Sequence, residues 1–287
     1  MDRKTEKEIE RSEKRIMKQN KLIRSTLTIV AALIVTASFT LPASAEEEAP
    51  SADLSVAVLS AYIWRGLELS NDSIVIQPSM TVGYKGFSAN LWGNLDTNPH
   101  ENLGGGTNNW NETDFTLAYG KDFGSLSSEL GYIYYALNGE EDIDDSQELY
   151  LSLGLDTVLS PTLTIYREFA HYPGWYILLG ISHAFELKDN ISLELAGSVS
   201  YLAGDEEDDY PEIDDHGEPT GDEFNNLHDG TISASLPIAV TEYVTVTPSI
   251  TYVFPLSSDA EYRMEALSVE GDEKDFFYGG VTASFAF

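Results

Sequence analysis

Large apolar residues alternate with small or polar residues along most of the chain after residue 52. The clearest example is Leu149, Leu151, Leu153 and Leu155, which are separated by Tyr, Ser and Gly. A period of two places successive side chains on opposite faces of a β-strand. The pattern predicts twelve strands, at residues 53–65, 73–84, 87–96, 111–119, 126–137, 147–155, 162–170, 175–185, 191–203, 227–236, 244–254 and 275–287.

The connections between these predicted strands alternate in length. Most odd-numbered strands are followed by long, polar and often acidic segments, such as 97–110 and 204–226, and even-numbered strands by short ones, such as 85–86 and 186–190. Outer-membrane β-barrels have long extracellular loops and short periplasmic turns. Alternation alone would also allow a soluble sandwich, but the connections favour the barrel. We therefore predict an all-β, antiparallel transmembrane β-barrel of about 12 strands, with long acidic extracellular loops and short periplasmic turns.

Aromatic residues lie near the ends of several predicted strands. Tyr62 and Trp64 end the first strand, and Trp175 begins the eighth. Such positions are typical of the aromatic girdles at the two membrane interfaces. The chain ends in Phe287, with apolar residues at every second position before it. This ending resembles the terminal strand that the outer-membrane assembly machinery recognises, so we expect that machinery to be a partner through Phe287.

The N-terminal region has the three parts of an export signal. Residues 17–24 are basic, residues 27–41 form an apolar run, and Pro42-Ala-Ser-Ala45 ends in small residues. The apolar run is too short for a transmembrane anchor. We predict a signal peptide over residues 1–45 with Met17 as its true start, a short segment over 46–52, and the barrel over 53–287. The expected location is the bacterial outer membrane, in contact with its lipid.

One stretch resembles a known family. Residues 60–66 (Ser-Ala-Tyr-Ile-Trp-Arg-Gly), Ile76-Gln77-Pro78, and residues 91–96 (Leu-Trp-Gly-Asn-Leu-Asp) are similar to the opening of the TorF-type porin family, which comprises exported outer-membrane proteins of unknown function. The chain departs from that family's pattern at residues 67–69, where Leu-Glu-Leu replaces a Ser/Thr-Gln segment. The resemblance implies an outer-membrane barrel with a pore role. It implies no substrate and no catalytic residue.

The charge of the chain is strongly negative, with 48 Asp and Glu against 16 Lys and Arg, a net charge of −32. Such a surface repels phosphate backbones, so nucleic acid is excluded as a partner. If the large aliphatic side chains face lipid, residues of the opposite parity face the lumen. The side chains expected to line it are Arg65, Asn90, Trp92, Asn94, Asp96, Glu129, Glu148, Tyr166, Glu168 and Glu194, with Asp114, Tyr135, Asp229 and Thr245 of the same parity.

These lumen carboxylates would favour cations over anions. Two alternatives stay open: the acids are solvated at the rims, or Arg65 pairs with one of them and plugs the lumen.

A second acidic cluster lies in the loop at 204–223, which we interpret as a hypothetical cation-binding loop. Its residues are Asp205, Glu206, Glu207, Asp208, Asp209, Asp214 and Asp215. Carboxylate oxygens suit Ca²⁺ or Mg²⁺, but the spacing fits no calcium-loop pattern, and a solvated acidic loop is the alternative.

Catalytic chemistry is not indicated. The five histidines are scattered, and His228 and Asp229 are neighbours in a predicted strand, where adjacent side chains point to opposite faces. No hydrolase, metalloprotease or phosphate-binding motif is present. We therefore predict a non-enzymatic channel for passive diffusion of small solutes, favouring cations or small polar molecules, with no cofactor and no metal centre. The alternative is a closed structural or surface-binding barrel whose acidic loops bind divalent cations, envelope lipid or a partner. The sequence indicates neither the solute nor the oligomeric state.

Overall fold

Twelve long strands, β1–β12, make up most of the structure. A computed structural model describes residues 49–70, 73–98, 109–137, 144–269 and 271–287. The strands are β1 (Ser51–Leu59), β2 (Val75–Tyr84), β3 (Phe87–Asp96), β4 (Trp110–Phe123), β5 (Leu126–Leu137), β6 (Ser146–Leu155), β7 (Thr162–Glu168), β8 (Gly174–Lys188), β9 (Ile191–Gly204), β10 (Asn225–Ser235), β11 (Val244–Pro255) and β12 (Phe276–Ala286). The signal peptide predicted at 1–45 lies outside the described residues and stays a prediction.

Each strand pairs antiparallel with its neighbours in the chain, and β1 pairs with β12 to close the barrel. The seam continues to the C-terminus, where Phe287 N donates to Ala52 O (3.0 Å) and Ala52 N donates to Phe287 O (2.9 Å). A closed barrel leaves no strand edge unpaired, which a strand structure in lipid requires. The predicted fold class is confirmed: a closed 12-stranded antiparallel barrel.

A belt of large apolar side chains covers the outside of the barrel. Its members include Leu54, Leu91, Leu151, Leu179, Ile232 and Val281, which are between 40% and 59% exposed. Inward positions between them carry mainly small and polar residues. An apolar band of this extent is stable only against lipid. The belt and the closed barrel therefore place the protein in the bacterial outer membrane.

Short turns mark the rim that carries both ends of the barrel. Lys85 and Gly86 join β2 to β3, both with positive φ (52° and 80°), the geometry of a two-residue type I′ turn. Ser51, at the start of β1, pairs with Gly83 just before this turn. This is the rim that the sequence assigns to the periplasm.

The first predicted strand is too long. β1 ends at Leu59, and residues 60–70, which we name the Arg65 hairpin, turn into the lumen. Ile63–Trp64 and Leu67–Glu68 pair antiparallel, and Arg65 and Gly66 form the tip with φ of 49° and 75°. The alternation of Tyr62 and Trp64 therefore reflects packing inside the barrel rather than a membrane girdle.

Two further loop segments pack against the extracellular end of the barrel. The loop after β9 forms a small hairpin, Pro211–Ile213 with Pro219–Glu223. The loop after β11 contains a helix, α1 (Ser258–Ala266), capped by Ser257 Oγ, which accepts from Ala260 N at 3.1 Å. No helix among the described residues is both long and apolar enough to cross a membrane.

These segments bury two small apolar clusters against the barrel wall. One comprises Tyr176, Leu202, Phe224 and Ala260, and the other Val253, Met264 and Phe276. The sequence predicted only polar loops here. Asp259 and Glu261 in the first turn after Ser257 are the signal that could have revealed the helix.

Candidate functional site

Arg65 binds Glu148 of β6 inside the barrel. Its Nη1 donates to Glu148 Oε1 at 2.7 Å and its Nη2 to Oε2 at 2.8 Å, and Tyr135 of β5 donates its hydroxyl to Oε2 at 2.7 Å. The Glu148 side chain is 2% exposed and that of Arg65 13%. Burial alone would lower the pKa of Arg65, but the charge and hydrogen bonds of Glu148 raise this pKa above its ordinary value. The guanidinium therefore stays charged.

Aromatic rings surround the same guanidinium. Its central carbon lies 4.5 Å from the ring centroid of Trp64, 4.6 Å from that of Tyr166 and 4.4 Å from that of Tyr176. Such distances allow cation–π attraction, which is stronger in a desolvated site. Tyr135, Glu148, Tyr166 and Tyr176 come from the consecutive strands β5–β8, and we name them the guanidinium cage.

The tip of the Arg65 hairpin also touches a different part of the wall. A Cβ placed on Gly66 would lie 3.1 Å from His228 Cε1, 3.2 Å from Asp229 Cβ and 3.2 Å from Met264 Sδ. His228 and Asp229 belong to β10, whereas Glu148 belongs to β6. The hairpin therefore spans the lumen and narrows it.

The base of the hairpin contacts β3 and β4. The ring of Tyr62 lies 5.7 Å from that of Trp92, and its hydroxyl lies near the carboxyl groups of Glu112 and Asp114. Burial and the nearby charges of Glu112 and Asp114 raise the pKa of Tyr62 well above its usual value. Tyr62 is therefore a neutral hydrogen-bond donor.

Carboxylates predominate among the buried ionisable side chains of the described residues. The buried acids are Glu68, Asp96, Glu112, Glu148, Glu168 and Asp229. Arg263 is buried with them, and its pKa is lowered to about 10 by burial. If Arg65 is counted with Arg263, the six buried acids outnumber these two arginines by three to one.

The predicted lumen residues fall into two groups. Arg65, Glu148 and Tyr166 meet in one site, and Trp92 packs beside the hairpin base. The others make local contacts on the wall: Asn90 with Ser79 and Thr81, Asn94 with Gln77 and Asn111, Asp96 with Ser73, Glu129 with Tyr150 and Glu168 with Ser146. Glu194 lies on β9 opposite Ala184 and Ser235.

The acidic loop residues do not gather around one point. Asp205 pairs with Arg167, whose two terminal nitrogens donate at 2.9 and 2.6 Å. Asp214 accepts from the backbone N–H groups of Glu218 (3.0 Å) and His216 (2.8 Å), which lower the pKa of its carboxyl group. Across the described ranges, no group of three or more His, Asp or Glu could hold a metal ion. Cation binding by this loop stays a prediction.

A β-bulge corrects one expectation about β10. Val199 pairs with Gly230 and Tyr201 with Leu227, so His228 and Asp229 together face Ser200. Both side chains are buried, and His228 Nδ1 lies 3.1 Å from Asp229 Oδ1. The expectation that they point to opposite faces is therefore wrong. Ser200 Oγ donates to the same Asp229 oxygen at 2.7 Å, an arrangement unlike the serine-to-histidine contact of a hydrolase triad.

The fold and the lipid-facing belt define the class of this chain as a bacterial outer-membrane β-barrel. Within that class, residues 45–186 match the model of the family described as "Bacterial protein of unknown function (Gcw_chp)". No curated protein matches the chain.

Solved outer-membrane barrels are similar in structure. The NanC porin is 10% identical with a TM-score of 0.50, over 82% of this chain and 98% of that one. The KdgM porin is 13% identical with a TM-score of 0.48, over 83% and 99%. An outer-membrane channel from Pseudomonas putida F1 is 9% identical with a TM-score of 0.47, over 86% and 100%. At 10% identity the likeness to the NanC porin concerns the fold alone, and it agrees with the predicted barrel.

Proposed function

We propose that this protein is a porin-like channel for passive diffusion of small solutes and that it favours cations. The observation that carries the proposal is the excess of buried carboxylates over arginines within the barrel. Carboxylates in a narrow, low-dielectric passage produce a negative potential, which attracts cations and repels anions. The resemblance of residues 60–66 to the TorF-type porin family supports the same proposal.

The passage would run beside the Arg65 hairpin. Because this hairpin reaches from β6 to β10, it makes the extracellular half of the lumen narrow, and we expect a small conductance. Transport would need no cofactor, since the solute gradient drives the flux. A catalytic role is not part of the proposal, because Ser200 bonds Asp229 rather than His228.

Reversal potentials in a planar bilayer test the selectivity. Protein purified from outer membranes should give discrete current steps, and under a KCl gradient the reversal potential should have the sign of cation preference. Glu68→Gln and Glu168→Gln, which neutralise two of the buried carboxylates, should each move it towards zero. The matched control is Glu242→Gln, which removes the same charge from an exposed turn and should leave it unchanged.

Two results would contradict the proposal. One is a reversal potential whose sign indicates a preference for anions over cations. The other is the absence of current steps from protein that migrates as a folded, heat-modifiable barrel. This second result would favour a closed structural or surface-binding barrel, for which the two apolar clusters at the extracellular end are the supporting observation.

A further inference from the structure

The guanidinium cage is a cation site whose walls and occupant come from different parts of the chain. Glu148, Tyr135, Tyr166 and Tyr176 stand on β5–β8 and form part of the barrel wall. The cation that fills the cage belongs to a short inserted hairpin with only two residue pairs, Ile63 with Glu68 and Trp64 with Leu67. The cage therefore retains its carboxylate and the rings of Tyr166 and Tyr176 when the hairpin is elsewhere, and only the ring of Trp64 leaves with the hairpin.

The geometry of the cage suits a planar guanidinium group. Both oxygens of Glu148 accept from Arg65, at 2.7 and 2.8 Å, as in a two-pronged arginine–carboxylate pair. Tyr166 and Tyr176 present their rings at 4.6 and 4.4 Å. A guanidinium satisfies the two carboxylate oxygens and the rings together, whereas an ammonium is a point charge with no planar face.

Arg65 cannot leave the cage without leaving Glu148 unpaired. Glu148 is nearly fully buried, and a buried carboxylate without a counter-charge is strongly disfavoured. The backbone of Arg65 is strained, because a φ of 49° is unfavourable for a residue other than glycine. A free cation that replaces Arg65 would satisfy Glu148 and release this strain.

We propose that Arg65 occupies a binding site for guanidinium-bearing solutes and that such a solute displaces it during passage. The inference rests on the proposed channel function and names a solute class for it. The hairpin then acts as a tethered competitor: it occupies the cage and narrows the lumen until a solute of matching chemistry takes its place.

The test is binding of guanidinium ion to a cage emptied by mutation. Arg65→Ala barrels in detergent are melted in increasing millimolar guanidinium chloride, with KCl at matched ionic strength as reference. We expect the melting midpoint to rise with guanidinium concentration, because a ligand that binds only the folded state stabilises it. The wild-type midpoint should rise only at higher guanidinium concentrations, since Arg65 competes for the cage.

Three controls make the test specific. Arg167 lies outside the cage but has similar partners: it forms a two-pronged pair with Asp205 and packs against the ring of Trp175. The Arg167→Ala variant should therefore not gain guanidinium binding. Adding Glu148→Gln to Arg65→Ala should weaken the binding about 10- to 100-fold, the worth of a charged hydrogen-bond pair. Methylammonium should bind Arg65→Ala more weakly than guanidinium.

The proposal is overturned if the Arg65→Ala midpoint does not respond to guanidinium, or if Arg167→Ala or the Glu148→Gln double variant responds equally. If Arg65→Ala does not fold, refolding is repeated with guanidinium or KCl. Recovery with guanidinium alone supports the site, and no recovery refutes it. Melting does not depend on conduction, so binding by a silent barrel would refute the channel alone, and conduction without binding would refute the site alone.

Discussion

Gly66 must be a glycine for two separate reasons. Its φ of 75° lies in the left-handed region, and a Cβ would come within 3.1–3.2 Å of His228, Asp229 and Met264. Gly217, with φ of 78°, has the same backbone conformation but no atom within 4 Å of such a Cβ. The two positions therefore separate the backbone requirement from the packing requirement.

Gly66→Ala should destabilise the barrel more than Gly217→Ala does. Both variants bear the backbone strain, but only Gly66→Ala also overpacks the lumen, which costs about 1–3 kcal/mol. The free energies of unfolding in urea, measured for both variants in the same vesicles, give the comparison. Equal losses would show that the hairpin tip does not contact β10 and α1.

At the residue level, the sequence predicts which side chains lie opposite the aliphatic residues, but it does not predict which of them pair. Parity placed Glu148 and Tyr166 on the face opposite the aliphatic residues, and pairing of Arg65 with an acid was an open alternative. The choice of Glu148 depends on the turn at Arg65 and Gly66, which brings together residues 83 positions apart. No local pattern encodes such a contact.

At the level of elements, period-two alternation identified the twelve strands because lipid and lumen impose opposite polarities on successive residues. The alternation pattern gave wrong predictions where a segment faces neither lipid nor the water of the lumen. Residues 60–65 alternate like a strand because they pack inside the barrel, and α1 is short and half-buried. The bulge at His228 and Asp229 breaks the period locally, and a strict alternation rule cannot represent it.

The lipid-facing assignment predicts opposite outcomes for two adjacent residues of β6. Leu151 lies in the apolar belt between Leu130 and Ile165, whereas Ser152 faces inward and contacts Thr164. Leu151→Arg should destabilise the barrel by roughly 2–4 kcal/mol, the cost of an arginine facing mid-membrane lipid, whereas Ser152→Arg should be tolerated. Folded yield on heat-modifiability gels measures the difference, and similar yields would contradict the assignment.

For the whole molecule, closure and charge have separate roles. Hydrogen bonds around the ring from β1 to β12 make the barrel stable in lipid. Under the proposed function, the interior carboxylates, in a chain with a net charge of −32, set the sign of the field that a solute meets. Exposed charges are screened by salt over about 10 Å at 0.1 M, whereas buried charges are screened much less. The buried acids should therefore determine selectivity at ordinary salt concentrations.

The central claim is that the Arg65 hairpin narrows a cation-favouring passage. The most direct test is the single-channel conductance of wild type, Arg65→Ala and Arg167→Ala in the same bilayer. We expect Arg65→Ala to conduct several-fold more than wild type and to keep its cation preference, because the carboxylates remain. Arg167→Ala should match wild type. Equal conductance in all three would contradict the claim that the hairpin narrows the passage, and silence in all three would contradict the channel itself.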